Sequence, residues 1–331
     1  MDELIQILKD EGVEYETSKV LSNYTYLRTG GIAKLFINPH TREQLQFVIK
    51  LLAKFRIDYK VIGATSNLLF LDNASYNCIL STSALNKINL DLEKNKIVTD
   101  SGVMLSDLSR FALLNSINGF EGFEGIPGTT GGAIFMNAGA YGYVIKNVLH
   151  CVDILDEYGE ERSVSVDDLG LHYRNSNFKN GKIKGVITRC YFNVEFGNQI
   201  EIEKNMEVYH AKRHKYQDFL YPNLGSLYSG LLYKELGKRD KIFWMYYLIF
   251  TFFNYKFKIF RRESPINRNW INNVFVKRFG VQFDIQPFSR KTINCLVNRG
   301  QGTHEMLNYI DKMNELTNNK IPIENEIVRE F

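Results

Sequence analysis

The sequence predicts an α+β protein organised as more than one domain, and three observations predict it. The chain has 331 residues, more than one ordinary core absorbs and enough for two or three domains. A strand–helix–strand cycle runs between about residues 32 and 63, the mark of an α/β layer. Near residue 197 the texture changes from strands and glycine-rich turns to helical and aromatic segments.

Taken in order, MDELIQILKDEGVEYE opens as an acidic amphipathic helix over 1–12. It lacks the basic start and apolar run of a secretory signal. VLSNYTYLRTGGIAKLFINP (20–39) holds a Gly30-Gly31 turn and a strand that stops at Asn38-Pro39. Thr41 caps the next helix, with Glu43 in its first turn. That helix runs to about 56, with Leu45, Val48, Ile49 and Leu52 on one face. DYKVIG is a strand ending in glycine, and short strands fill 76–100. SGVMLSDLSRFALLNSI (101–117) reads as a helix, 119–142 as a glycine-dense run, and 148–156 and 183–196 as strands. A helix then leads into the loop YPNLGS and an aromatic segment. Residues 262–275 read as a polar, Asn-rich linker, 306–317 as a helix, and a short strand or tail closes the chain. The expected domains are 1–75, 76–196 and 197–331.

Composition bounds the function. Apolar residues are 44 % and charged residues 24 %, which describes a folded protein. The net charge is +4 with both signs found throughout, so nucleic acid is not implied. Cys78, Cys151, Cys190 and Cys295 form no CxxC pair and read as buried small hydrophobes of a reducing compartment; no metal site is expected. KIFWMYYLIFTFFNYKFKIF (241–260) is the unusual stretch. Its uncharged core is shorter than the ~20 residues a bilayer span needs, and Lys256 and Lys258 interrupt it. It reads first as a buried or interface helix. A membrane or protein contact, rimmed by Lys238, Arg239, Arg261 and Arg262, stays open.

Two segments carry the strongest chemical signal. VIGATSNLLFLD (61–72) ends a strand at Gly63 and follows it with a small, polar turn whose N–H groups and hydroxyls suit an anion. GFEGFEGIPGTTGGAIFMNAGAYG (119–142) has glycine at 119, 122, 125, 128, 131, 132, 139 and 142. Glycine loses the most backbone freedom on folding, so this density indicates close approach to a large ligand. Ile126, Ala133, Ile134, Phe135 and Met136 make it too apolar for a solvated loop. Neither a G-x-G-x-x-G fingerprint nor a P-loop occurs. Arg174, beside Tyr173 in LHYRNSNF, suits carboxylate or phosphate, with a plain surface arginine as the equal alternative. Ser226 follows a glycine without a G-x-S-x-G setting, which argues against a nucleophile and leaves proton donation open to its hydroxyl. His210 and His214 lack an HExxH pattern. Glu324, Glu326 and Glu330 read by themselves as a solvated tail.

In order, these segments resemble the UDP-N-acetylenolpyruvoylglucosamine reductases of peptidoglycan synthesis. The resemblance rests on NYTYLRTGGIAKLFINP (23–39), GATSNLLFLD (63–72), the glycine block, YRNSNF (173–178) and RHKYQDFLYPNLGS (213–226). SRKTINCLVNRGQGTHEMLNYI (289–310) and IENEI (323–327) match more weakly. It implies an FAD-binding fold of the vanillyl-alcohol-oxidase type in two subdomains, plus an α/β substrate-binding domain. It implies a cytoplasmic enzyme of cell-wall biogenesis with non-covalent FAD and NADPH as co-substrate. Hydride from NADPH would reach, by way of the flavin, the β-carbon of an enolpyruvyl ether, and a proton would add at the α-carbon to give UDP-N-acetylmuramate.

Residue by residue, the resemblance assigns cofactor contacts to Gly63, Thr65, Ser66, Asn67 and Leu68, and to Gly125, Ile126, Pro127, Gly128 and Thr129. Asn137, Ala138, Gly139 and Tyr141 complete that set. Ser226 falls on the proton donor, Arg174 on the active-site arginine and Glu326 on the C-terminal carboxylate. Tyr173, Arg213, Gln217 and Asn298 fall near the substrate. Departures cluster in the substrate half. Leu227-Tyr228-Ser229-Gly230 replaces the family's F-K-N-P, Asp218 a proline and Thr292 a histidine, and an aromatic, basic insert spans about 233–280. A paralogous flavin reductase for another sugar nucleotide or enol ether, and a non-catalytic nucleotide-sugar-binding homologue, are the alternatives.

Overall fold

The computed structural model describes residues 1–230, 232–253 and 268–331, with backbone alone at 215 and 216. Lys256, Lys258, Arg261, Arg262 and the start of the expected Asn-rich linker lie outside the described residues.

The first layer comprises α1 (Asp2–Asp10), β1 (Tyr15–Val20), β2 (Ile32–Ile37), α2 (Arg42–Phe55), β3 (Lys60–Ile62), β4 (Leu68–Phe70) and β5 (Ser75–Ser81). Its sheet has the order β1-β2-β5-β3, so it extends past residue 75 to Ser81. β1 runs antiparallel to β2; the β2–β5 and β3–β5 pairs are parallel. α2 forms where its spacing predicts. Thr41 Oγ1 accepts the Gln44 N–H at 3.2 Å, Leu45, Val48, Ile49 and Leu52 are buried, and Arg56 ends the helix at φ 53°.

The second layer contains β6 (Ile88–Asp91), β7 (Lys96–Asp100), α3 (Leu105–Leu114), α4 (Thr130–Phe135), β8 (Gly139–Ala140), β9 (Tyr143–Val144), α5 (Ile145–Val148), β10 (Leu149–Leu155), β11 (Glu161–Ser165) and β12 (Val186–Asn193). An antiparallel sheet of order β11-β10-β12-β7-β6 carries its core, with Phe120, Phe123, Ile134 and Phe192 fully buried or nearly so. α3 starts at Leu105, four residues later than the sequence indicated, because Ser101 and Gly102 bond across to Thr188 and Leu85 instead of starting a helix.

The third layer is α6 (Gln199–Tyr216), α7 (Leu232–Arg239), α8 (Lys241–Thr251), α9 (Asn269–Phe279) and α10 (Gly302–Thr317), closed by β13 (Glu326–Val328). From residue 269 on, the expected linker is helix α9, which corrects the sequence reading. Ile271 and Phe275 are buried one turn apart, and Asn272 turns inward to donate to the Arg290 carbonyl at 2.9 Å. The aromatic segment belongs partly to this core, since Phe243 and Phe250 are buried in it. β13 returns the chain to the first layer and pairs in parallel with β4, Glu326 opposite Leu68. That return brings the C-terminal acids beside the 63–67 turn.

Candidate active site

The turn after β3 is held open by its own backbone. Thr65 adopts φ 55°, and its buried hydroxyl accepts the Tyr26 N–H at 2.8 Å. The N–H groups of Ala64, Thr65, Ser66 and Asn67 donate to no protein acceptor among the described residues. Such a run of free donors is what an anion needs. Asn67 uses its side chain differently. It donates to the Glu324 carbonyl at 3.0 Å and accepts from Asn325 at 2.9 Å, so it fastens the C-terminal segment in place.

The glycine-rich block meets this turn directly. A Cβ on Gly63 would lie 2.2 Å from Thr129 Oγ1, and one on Gly128 would touch Ser66 Oγ at 3.6 Å. Thr129 is buried and caps α4, and Leu105 N–H donates to the Gly128 carbonyl at 2.8 Å. A Cβ on Gly131 would approach that of Ser101 to 2.9 Å. Beside the seam lies a cleft of about 290 Å³, lined by Ala64 and Ser83 on one side and Gly102, Met104, Asp107 and Thr129 on the other. That is the low end of ligand cavities.

Further along, Gly125 has φ 73°, and a Cβ there would press on Arg213 Cδ at 3.0 Å. Ile126 packs on the second-layer core, and Pro127 continues the run toward Gly128. Asn137 donates to the His172 carbonyl at 2.8 Å, and the Ala138 N–H to the Ala133 carbonyl at 2.7 Å. Tyr141 stacks on Tyr209 with centroids 5.1 Å apart, and the Arg213 guanidinium lies 5.4 Å from the Tyr141 ring. Arg213 donates to the Gly122 carbonyl at 3.2 Å, while its buried Nε has no partner among the described residues. Burial pulls its pKa below the usual arginine value. The Ser101 hydroxyl is likewise buried without a partner among the described residues. Free backbone donors, a seam that excludes Cβ and orphaned polar atoms fit a dinucleotide.

At the far end of the turn a second cluster assembles. Arg174, at φ 50°, donates from Nε to Glu324 Oε2 at 3.1 Å, and the Tyr173 hydroxyl donates to Oε1 at 2.8 Å. Partial burial and that bond raise the Tyr173 phenol. Ser226 lies on the adjacent strip. The Glu324 N–H bonds the Leu227 carbonyl at 2.9 Å and Asn325 the Leu224 carbonyl at 3.2 Å. The Ser226 hydroxyl is exposed and has no protein hydrogen bond among the described residues. Glu326 is turned to an ion pair with Lys60 instead of Arg174. The sequence offered no role for Lys60, and it left Glu324 in a solvated tail although its side chain is nearly buried.

Other expected substrate residues lie apart from this cluster. Asn298 donates to the Leu27 and Arg28 carbonyls at 2.9 and 2.8 Å, clasping the third layer to the first. The Gln217 N–H bonds the Arg213 carbonyl at 2.9 Å. Asp218 accepts from the Ser289 hydroxyl at 2.8 Å, and Thr292 from the Asn294 N–H at 3.2 Å. Tyr228 is buried, bonding the Ile310 carbonyl and Asn314 at 3.1 and 2.9 Å. Burial pushes the thiols of Cys78, Cys190 and Cys295 up to about 12. Among the described residues no three His, Cys, Asp or Glu converge as metal ligands.

Comparison with known proteins agrees with this geometry. A family model for an FAD binding domain matches residues 33–165. A UDP-N-acetylenolpyruvoylglucosamine reductase of Oceanobacillus iheyensis is 34 % identical over 229 residues, 69 % of this chain and 72 % of that protein. The chain belongs to the UDP-N-acetylenolpyruvoylglucosamine reductase family. A relative of the same name from Carboxydothermus hydrogenoformans is 34 % identical over 228 residues, 67 % of this chain and 74 % of that protein. The crystal structure of such a reductase from Thermus caldophilus superimposes with a TM-score of 0.68 at 22 % identity, covering 95 % of this chain and 98 % of that one. The fold is therefore the FAD-binding fold of the vanillyl-alcohol-oxidase type in two subdomains, followed by the family's further domain.

Proposed function

We propose that this chain uses NADPH and FAD to reduce the enolpyruvyl ether of UDP-N-acetylglucosamine enolpyruvate to UDP-N-acetylmuramate. The observation that carries the reading is the contact of the 63–67 turn with Thr129, with Arg174, Glu324 and Ser226 gathered at the end of that same turn. FAD, when bound, supplies the hydride acceptor and donor that no side chain provides. Ala64, Thr65, Ser66 and Asn67 would hold its diphosphate through backbone N–H groups, and Gly63, Gly125, Gly128 and Gly139 would allow the main chain close to it.

An enol ether accepts hydride only where negative charge growing on its carboxylate side is stabilised. Arg174 supplies that positive partner, and a contact that strengthens as charge grows lowers the barrier. Glu324, itself held by the Tyr173 hydroxyl, fixes the guanidinium, which keeps Arg174 oriented before substrate arrives. Ser226 gives its hydroxyl proton to the α-carbon; its lack of a protein partner leaves it available. Glu326, paired with Lys60, stands as the second acid near the turn. Arg213, held beside the glycine-rich block by the Gly122 carbonyl, would meet the diphosphate of the substrate.

One observation favours a second reading. Leu227-Tyr228-Ser229-Gly230 stands where the resemblance puts the family's F-K-N-P, so the family's lysine is replaced by an uncharged residue, and Tyr228 itself is committed to the third-layer core. A paralogous reductase of another sugar nucleotide or enol ether would tolerate that loss. An anaerobic stopped-flow experiment decides between them. UDP-N-acetylglucosamine enolpyruvate should reoxidise the NADPH-reduced protein, and UDP-N-acetylglucosamine should not. A flavin bleached by NADPH but left reduced by that substrate refutes the main reading. A colourless protein that takes up no FAD refutes both.

A further inference from the structure

We propose that the outward side of α8, with Trp270 beside it, docks on an anionic lipid surface. A helix packed on a core normally turns a polar face to water. α8 does not. Phe243 and Phe250 point inward, and the opposite side presents Ile242, Met245, Leu248, Ile249 and Phe252. These five and Trp270 are each 41–50 % exposed. The side chains recur every three or four residues, so they form one continuous apolar strip. Tyr246 meets the edge of Trp270 with centroids 5.6 Å apart, adding the aromatic types that favour the water–lipid boundary.

Charge selects the occupant. Residues 238–278 hold ten Lys and Arg against Asp240 and Glu263 alone, whereas the whole chain has 41 against 37. The rest of the chain is therefore net negative, and the sequence segment that carries this strip is its basic part. A second copy of the chain would set like charge against like. A lipid surface rich in phosphatidylglycerol or a similar anion complements both the apolar strip and the basic segment that carries it. α8 has 11 residues, and no helix among the described residues is long and apolar enough to cross a membrane. The attachment is along the surface.

The test uses the full-length, FAD-bound protein in cosedimentation with vesicles of phosphatidylcholine alone and vesicles with about a third phosphatidylglycerol. The variant carries Ile242→Glu and Ile249→Glu, both at exposed positions, and its flavin spectrum and melting temperature report that it is folded. Binding to the anionic vesicles should exceed binding to the neutral ones, fall as salt rises, and drop about tenfold or more in the variant. Absence of vesicle binding at about 0.1 M salt overturns the proposal. So does binding that the two glutamates leave unchanged, which would make charge alone responsible. A dimer in sedimentation velocity that the variant abolishes, with no vesicle binding, overturns it in favour of a second copy.

Discussion

Replacing Gly63 with alanine tests the seam on which the site depends. The new Cβ would stand 2.2 Å from Thr129 Oγ1 and 3.3 Å from Thr129 Cβ and Cγ2. The hydroxyl must move by about 1 Å to reach an ordinary contact. Thr129 is buried, so it has little room, and turning its hydroxyl away gives up the cap on α4. Losing a threonine cap costs about 1 kcal/mol. Overpacking adds about 1–3 kcal/mol. Gly63→Ala should therefore destabilise the FAD-free protein by about 2–4 kcal/mol. Thr129→Ala alone should cost only the cap, about 1 kcal/mol. In the double variant the tightest contact with residue 129 relaxes to 3.3 Å, which a few tenths of an ångström relieve. It should lie close to Thr129→Ala, with a favourable coupling of about 1 kcal/mol or more. Denaturant unfolding measures all four corners of this cycle, and quenching of flavin fluorescence follows FAD affinity in parallel. Gly63→Ala should weaken FAD about tenfold or more, and Thr129→Ala should restore part of it. Effects additive within about 0.5 kcal/mol would mean that the two segments do not touch, and the reasoning fails.

Ser226→Ala should slow substrate-dependent reoxidation about a hundredfold or more while leaving NADPH-dependent flavin reduction unchanged, because the hydroxyl handles only the proton added to the substrate; equal slowing of both steps would remove its role. Glu324→Gln should slow the same reoxidation about tenfold, since it weakens a charge-assisted bond to Arg174. Glu326→Gln loosens a partly exposed pair with Lys60 and should cost less; the reverse order in single-turnover rates would return the leading role to Glu326. Asp240→Ala should destabilise the third layer by about 1–2 kcal/mol at neutral pH, because Asp240 caps α8 through the Ile242 and Phe243 N–H groups at 2.9 Å. Burial alone would raise the Asp240 pKa, but the Phe243 N–H and Arg278 outweigh it and hold it below the usual carboxylate value. Its stabilisation is thus present above the unfolded value of about 3.9 and lost as pH falls through the lower folded value. The gap between wild type and variant, measured by denaturant titration, should begin to shrink near about pH 4 and go on shrinking as pH falls further, and a gap that stays constant there would count against the ionic cap.

The legible parts were those encoded over a few residues. Thr41 and the apolar spacing of residues 45–52 specify α2, because capping and helical periodicity are local. The α9 helix was missed because its asparagines outweighed the spacing of Ile271, Phe275 and Phe279; Asn272 looks solvent-seeking until the Arg290 carbonyl is beside it. The two acids of IENEI could not be told apart. Residues two apart share a face on a strand, but β13 begins only at Glu326, and Glu324 sits just before it.

By itself the sequence determined where the backbone is small and bendable, which turns offer free donors and which family those segments match. Each of these is a property of neighbouring residues. The tertiary structure decided that Gly63 meets Thr129, that Asn67 holds the C-terminal strip, and that Glu324 instead of Glu326 reaches Arg174. Those contacts join positions far apart in the chain, and they depend on the parallel register of β13 against β4. Side-chain types alone do not specify that register, because it is set by the packing of whole layers.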